Sequence, residues 1–261
     1  MIRENIDGGK AFDWGKASAD YALYRDIYPD EFYKKLIDSG LCIKGQSVLD
    51  IGTGTGVLPR NMYKYGAKWT GADISLGQIA QAKALSSAMN MDIKYIVSSA
   101  EDITGTHESI DVITACQCYW YFDTVKTSKA FARLLKPGGK LVFLVMNWLP
   151  LEDEIAAETE QLVLKYNPDW SGANDTFHAV NVDDEYYKYF DKADSFEYRL
   201  PVHFTRESWN GRIKACRGIG ASSLSDEQKR CFESEHLQML SNYPEEFDIL
   251  HYCACAVLKK K

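Results

Sequence analysis

Long apolar runs are missing from this sequence. No window approaches 18 uninterrupted apolar residues, so neither a membrane-spanning helix nor a membrane partner is expected. The opening MIRENIDGGK has no apolar segment of the kind that directs export, and a cytoplasmic location is the expectation. Positive charge is in deficit: 30 Lys and Arg stand against 37 Asp and Glu, a formal charge of −7. That argues against a chain that coats nucleic acid. Metal-ligand spacing is absent too. The seven cysteines (Cys42, Cys116, Cys118, Cys216, Cys231, Cys253, Cys255) include no Cys-x-x-Cys, and the five histidines lie far apart. Neither a metal site nor a disulfide framework is therefore indicated. Cys116/Cys118 and Cys253/Cys255 have the spacing that places side chains on one face of a strand, and buried thiols in a reducing compartment are the expected state.

What is present is an ordinary globular balance, 46% apolar and 26% charged over 261 residues. That is enough for one large core with elaborations or two small domains. Ser47–Ile51 reads as a compact strand running into glycines. Val57–Tyr65 has helical spacing, with Leu58, Met62 and Tyr65 on one stripe and Gly66 closing it. Lys68–Ala72 is a second strand ending at Asp73. Ser75 then caps a helix on which Leu76, Ile79, Ala80 and Ala84 recur every three or four residues. Further strands are expected at Ile93–Val97, Ser109–Ala115 and Lys140–Met146. A helix over Thr124–Leu135 is stopped by the turn Lys136-Pro137-Gly138-Gly139. Such alternation predicts right-handed crossovers in a parallel sheet.

After Met146 the character changes. Residues 151–195 hold twelve Asp or Glu against three Lys, with aromatics at Trp170, Phe177, Tyr186, Tyr187, Tyr189 and Phe190. Partial helical spacing (Ile155, Ala156, Leu162, Val163) makes this stretch read as an inserted helical cap. Phe196–Phe204 alternates as a strand, Arg206–Gly218 reads as a helix, and Ile249–Leu258 is a final strand. The predicted fold is α/β: a Rossmann-like, doubly wound, mostly parallel seven-stranded sheet with an antiparallel edge strand and the cap insertion.

The most telling stretch is SVLDIGTGTGV at 47–57. Three glycines on alternate positions let the chain turn tightly and let a ligand approach bare backbone. A dinucleotide fingerprint would run G-x-G-x-x-G, yet the third slot holds Val57 counted from Gly52 and Pro59 counted from Gly54. Asp50, just ahead of the glycines, would repel a pyrophosphate but suits a ligand bearing an ammonium group. Two carboxylates, Asp50 and Asp73, end strands where an unpaired charge would be costly, which points to binding.

VLDIGTGTGV, GADIS at 71–75, SSAED at 98–102 and IDVITACQCYWYFD followed by LLKPGGKLVF together resemble class I S-adenosylmethionine-dependent methyltransferases. The start FDWGKASADYALYRDIYPDEFY and the ITACQCYWYFD stretch are most similar to the trans-aconitate-type, small-molecule branch (methyltransferase type 11). The resemblance spans roughly residues 10–147. It implies S-adenosyl-L-methionine as cofactor, cradled by Gly52, Thr53, Gly54 and Gly56. It puts Asp50 toward the ammonium end, Asp73 on the ribose hydroxyls, and Ala100 and Glu101 on the adenine edge. Ser99 stands where many members have Asp. Ile74 would cover the ring, Cys116 and Gln117 would border the methionine portion, and Tyr24 and Arg25 would reach the carboxylate. Trp120-Tyr121-Phe122-Asp123 stands where relatives often have His-Trp-Phe-Asp, so no histidine base comes with the resemblance.

The expected organisation is a helical lid at 1–40, a cofactor-binding core at 41–147, a cap over the acceptor site at 148–203, and a helix and strand at 204–261 completing the core. The expected activity is methyl transfer to a small molecule. Arg206, Arg212, Lys214 and Arg217 are candidates for an anion pocket suiting a carboxylate-bearing acceptor. His178, His203 and Tyr119 are unranked candidates for a base, and no catalytic residue or metal ligand is assigned. A monomer or homodimer is expected, with no nucleic-acid partner, since no Asn-Pro-Pro-aromatic motif follows the fourth strand. The competing readings are a nicotinamide-dependent oxidoreductase and a non-catalytic S-adenosylmethionine-binding protein.

Overall fold

A computed structural model describes residues 6–261; the first five residues of the expected 1–40 lid lie outside them. Seven strands form one sheet: β1 (Ser47–Ile51), β2 (Lys68–Asp73), β3 (Lys94–Val97), β4 (Ile110–Cys116), β5 (Leu135–Trp148), β6 (Phe190–Thr205) and β7 (Glu246–Lys260). Their order is β3-β2-β1-β4-β5-β7-β6. β1 pairs in parallel with β2 and β4, β2 with β3, and β4 with β5. The sheet is mixed, mostly parallel with an antiparallel edge, as the sequence predicts. The order in which the chain adds strands reverses between β1 and β4, and such a switch point opens a crevice at the strands' carboxyl ends.

Among the described residues eight α-helices accompany it: α1 (Ser18–Tyr24), α2 (Asp30–Asp38), α3 (Val57–Met62), α4 (Leu76–Ala88), α5 (Thr124–Leu134), α6 (Glu154–Tyr166), α7 (Arg206–Lys214) and α8 (Asp226–Leu240). The chain forms two compact units, each drawn from three separate stretches.

One unit comprises residues 28–146, 178–198 and 253–261. Its core joins Leu49 and Ile51 of β1, Ile113 and Ala115 of β4, Leu141 and Phe143 of β5, and Phe131 of α5. Local chemistry sets the element ends. Ser75 Oγ accepts the Gln78 N–H at 3.4 Å at the start of α4, and Asp123 Oδ1 accepts the Lys126 N–H at 3.1 Å at the start of α5. The expected turn at 136–139 is instead a bulge within β5. Ile110 pairs with Leu135 and the register resumes at Val112 with Lys140, so the Pro-Gly-Gly stretch is accommodated without ending the strand.

The other unit comprises the described part of Met1–Ile27 together with Asn147–Phe177 and Arg199–Tyr252. A buried polar chain ties its helices. Trp209 Nε1 donates to Thr159 Oγ1 at 3.0 Å, Thr159 Oγ1 lies 3.2 Å from His236 Nε2, and His236 Nδ1 lies 2.9 Å from Asn210 Oδ1. Asn210 Oδ1 can only accept, so Nδ1 carries the ring hydrogen and donates to it, and Nε2 of the neutral ring accepts the threonine hydroxyl hydrogen. Burial pushes His236 down to about 4, which keeps that ring neutral.

Several expectations are corrected. Between 148 and 203 only α6 is a full helix. The left-handed Asn174 and the Pro168 and Gly172 positions suit irregular chain, and β6 starts at Phe190, ahead of the expected Phe196. The polar run Phe190–Ser195 does not alternate, because a strand at the sheet edge need not bury one face. α7 ends at Lys214, short of Gly218. α8 was not anticipated, although Ser225 and Gln228 form a capping box at its start. Cys116 and Cys118 do not share a strand face: β4 ends at Cys116, and Gln117 turns left-handed at φ +62°.

Candidate functional site

β1 delivers the chain to Gly52, Gly54 and Gly56, all left-handed at φ +66°, +56° and +76°. A Cβ on Gly52 would stand 2.6 Å from Cys118 Sγ, and one on Gly56 2.3 Å from the Tyr95 hydroxyl. Both glycines are thus required by φ and by space. Thr53 N–H donates to Ala72 O at 3.0 Å and Gly56 N–H to Thr53 O at 2.9 Å, which fixes the loop against β2.

Asp73, at the end of β2, accepts the Gly54 N–H on Oδ2 at 2.9 Å and the Ser75 N–H on Oδ1 at 2.8 Å. Burial lifts its carboxyl above the usual range, and these two donors oppose that lift. Each oxygen keeps a further lone pair, so a vicinal diol can still be accepted. Asp50 is only 2% exposed, and its Oδ1 accepts the Thr114 hydroxyl at 2.6 Å. Burial pushes its carboxyl up to about 6, with the Asp73 charge adding to the rise and the hydrogen bond from Thr114 opposing it.

Beyond β3, Ser98 N–H donates to Asp73 O at 3.0 Å. Ser99 Oγ donates to Asp102 Oδ2 at 2.8 Å, Ala100 is buried, and Glu101 Oε1 accepts the Asp123 N–H at 2.8 Å. Ile74 is 55% exposed, a large apolar side chain left open beside Asp73. Beyond β4, the Cys116 thiol faces the Tyr28 hydroxyl at 3.5 Å, and Gln117 Nε2 donates to Met146 O. Cys118 Sγ donates to Ile51 O at 3.1 Å, and burial pushes its thiol up.

Twelve of the fourteen expected cofactor residues therefore sit at or just beyond the carboxyl ends of neighbouring strands in one unit. Tyr24 and Arg25 belong to the other unit. There the Tyr24 ring packs on Gly211 of α7, where a Cβ would approach it to 2.4 Å, and the Arg25 guanidinium lies 5.0 Å from the Tyr21 ring centroid. The four basic residues expected to form an anion pocket do not converge. Arg206 donates to Tyr243 O, Lys214 to Glu233 at 2.7 Å, and Arg217 pairs with Asp7, while Arg212 lies buried against the Trp148 ring at 4.9 Å. His203 pairs with Asp248 at 3.1 Å on an exposed face, His178 bonds Ala179 O next to it, and Tyr119 packs on Phe143. Sequence reasoning missed Thr114, Cys118 and Tyr95. Thr114 carried a signal, since it is a polar residue inside the apolar run of a central strand.

The donor set suits a nucleoside with a cationic tail: bare main chain, a carboxylate open to a diol, and a second carboxylate buried beyond it. Residues 49–143 match the family model described as a methyltransferase domain. That stretch is therefore similar to methyltransferase domains. Two curated proteins similar to this chain are both named ubiquinone biosynthesis O-methyltransferase. That of Coxiella burnetii is 35% identical over 114 residues, covering 43% of this chain and 49% of the relative. That of Saccharophagus degradans is 29% identical over 157 residues, covering 59% and 66%. The chain thus spans about half the length of the first relative it matches and about two thirds of the second. A provisionally assigned sarcosine dimethylglycine methyltransferase from Galdieria sulphuraria superposes with TM-score 0.54 at 16% identity, covering 99% and 96% of the two chains. The YcgJ protein of Bacillus superposes with TM-score 0.51 at 18% identity, covering 87% and 97%. These likenesses show the fold. Among the described residues no helix is long and apolar enough to cross a membrane, and no group of three His, Cys, Asp or Glu could hold a metal ion.

Proposed function

We propose that this chain transfers a methyl group from S-adenosyl-L-methionine to a small-molecule acceptor, with release of S-adenosylhomocysteine. The observation that carries the reading is the cradle Gly52–Gly56, framed by the carboxylates of Asp50 and Asp73. The cofactor supplies a methyl group on a sulfonium, a leaving group already activated. What remains for the protein is to hold the two reactants in line and to exclude water. Asp73 would take the ribose hydroxyls, Asp50 the ammonium group, and the Ser99–Glu101 turn with Ile74 the base. Cys116 and Gln117 would border the methionine portion; Tyr24 and Arg25 stay in the set on the resemblance alone.

The O-methyltransferase names of the relatives support an oxygen nucleophile. A hydroxyl must lose its proton on transfer, whereas a carboxylate acceptor needs no base. We assign a cytoplasmic monomer or homodimer with no nucleic-acid partner, in keeping with the net charge of −7. Isothermal titration with S-adenosylhomocysteine tests the cofactor. Micromolar binding, about −8 kcal/mol, is expected. Binding of NADH in its place would establish the oxidoreductase reading. Cofactor binding with no turnover on any hydroxylated or carboxylate acceptor would favour a non-catalytic binder.

A further inference from the structure

Buried polar groups find hydrogen-bond partners as a rule, and an exception calls for an account. His251, on β7, is fully buried, and its Nδ1 lies 2.9 Å from Ile249 O. A carbonyl can only accept, so the ring hydrogen sits on Nδ1 and Nε2 carries a bare lone pair. Among the described residues nothing donates to that nitrogen. Rings of the same unit enclose it. Phe204 stacks on the imidazole at 5.9 Å between centroids, and Trp209 and Trp148 stand nearly perpendicular to it at 6.3 and 6.4 Å. The charges acting on the ring are positive: Arg212 and Arg25 add to the burial that pushes it down to about 3, so it stays a neutral acceptor. Arg212 is itself only 2% exposed, with its guanidinium 4.9 Å from the Trp148 ring centroid. That indole is pinned in turn, because Trp148 Nε1 donates to Glu160 Oε1 at 2.6 Å.

We propose that His251 and Arg212 form a ligand site within this unit for a small hydroxylated carboxylate, whose hydroxyl donates to His251 Nε2 and whose carboxylate faces the Arg212 guanidinium. Each group sets one part of that chemistry. A lone pair lacking a donor calls for an O–H or N–H, and a guanidinium held among apolar rings favours an anion as its charge-assisted partner. A cationic donor is ruled out, since it would meet two guanidiniums of its own sign. The aromatic walls suit a planar ring. His251 and Arg212 both belong to the stretch Arg199–Tyr252, whereas the glycine cradle belongs to the other unit. The proposal therefore goes beyond the S-adenosyl reading and stands or falls separately from it.

Calorimetric titration of the full chain with 3-hydroxybenzoate, 4-hydroxybenzoate, benzoate and phenol separates the two contributions. Wild-type protein is expected to bind one hydroxybenzoate about tenfold more tightly than benzoate, which lacks the donor, and more tightly than phenol, which lacks the charge. His251→Phe is expected to bring that hydroxybenzoate down to the level of benzoate. Its urea midpoint without ligand should stay at or above the wild-type value, because no acceptor is left unsatisfied. Arg212→Met is expected to lose benzoate and hydroxybenzoate alike, and the His251→Phe result decides even where that variant fails to fold. The nitrogen NMR resonance of His251 Nε2 should move upfield with the hydroxybenzoate and stay in place with benzoate, a response that packing alone would not give. Equal affinity for the two in wild type, or a hydroxyl preference that survives in His251→Phe, overturns the proposal. So does the absence of binding by every probe, which leaves Nε2 to a buried water.

Discussion

Asp73 accepts the main-chain N–H of Gly54, 19 residues earlier in the chain, at 2.9 Å. One carboxylate thereby holds the glycine loop in shape while each of its oxygens keeps a further lone pair for a ligand. Asp73→Ala removes both functions. S-adenosylhomocysteine affinity is expected to fall at least tenfold, about 1.4 kcal/mol, with Asp73→Asn intermediate because the amide oxygen can still accept. Titration calorimetry on the three proteins decides it, and wild-type affinity in Asp73→Ala would exclude Asp73 from the site.

The buried Asp50 makes cofactor binding depend on pH. With its carboxyl near 6 in the ligand-free protein, an ammonium-bearing ligand meets the ionised form above that pH and the neutral form below it. Affinity for S-adenosylhomocysteine should rise between pH 5 and 7 and then level off, in a titration series at constant ionic strength. Asp50→Asn should flatten the profile at the low-pH value.

The same group should cost the ligand-free protein stability. A carboxyl raised from 3.8 to about 6 favours the protonated native state, so its contribution is fullest below pH 3.8 and is lost as pH rises through 6. At pH 8 the loss amounts to about 3 kcal/mol. Asp50→Asn keeps the acceptor that Thr114 uses and should raise the urea midpoint at pH 8, with the gain vanishing near pH 4. A midpoint difference that is flat with pH would refute the assignment.

His236 predicts the opposite slope. Its ring, pushed down to about 4 by burial, stays neutral in the native state while the unfolded chain takes up a proton near 6.5. Stability present above pH 6.5 should be lost as pH falls toward 4, by about 3 kcal/mol. Buried His251, pushed down to about 3, acts in the same sense. Equilibrium urea unfolding from pH 7 to 4 measures the slope, and His236→Gln should be less stable at pH 7 yet shallower in its acid dependence.

Gly56→Ala should be damaging whatever the ligand. At φ +76°, and with a Cβ 2.3 Å from the Tyr95 hydroxyl, alanine carries both backbone strain and a clash. A loss of about 1–3 kcal/mol is expected by chemical denaturation. Gly45→Ala supplies the comparison, since φ is +92° there but nothing stands within 4 Å, so it isolates the backbone contribution.

The parallel half of the fold was legible because its strands are short apolar runs that end in punctuation. β1 stops at Gly52, β2 at Asp73, and Ser75 and Asp123 sit as caps where the periodicity begins. The cradle was legible for the same reason: glycines on alternate positions mark backbone that must turn tightly and stay bare. Pairwise contacts made across long sequence distance were not. Thr114 reaches Asp50 across 64 residues and Cys118 fills the space beside Gly52, and neither is marked by spacing. The four basic residues near 206–217 show the reverse case. Charge clustered in sequence made them candidates for a pocket, whereas each finds its own acid, carbonyl or ring.

β7, the last strand in the chain, lies between β5 and β6 in the sheet, and its residues are divided between the two units. A ribosome delivers the chain from one end, so the slot between β5 and β6 stays open until the closing fifteen residues have emerged. Neither unit is complete before β7 emerges, and the finishing contacts join residues far apart in sequence, a topology that folds slowly. Nascent chains stalled before residue 246 should therefore be open to proteases and chaperones, and emergence of β7, not of any earlier module, marks the moment of folding.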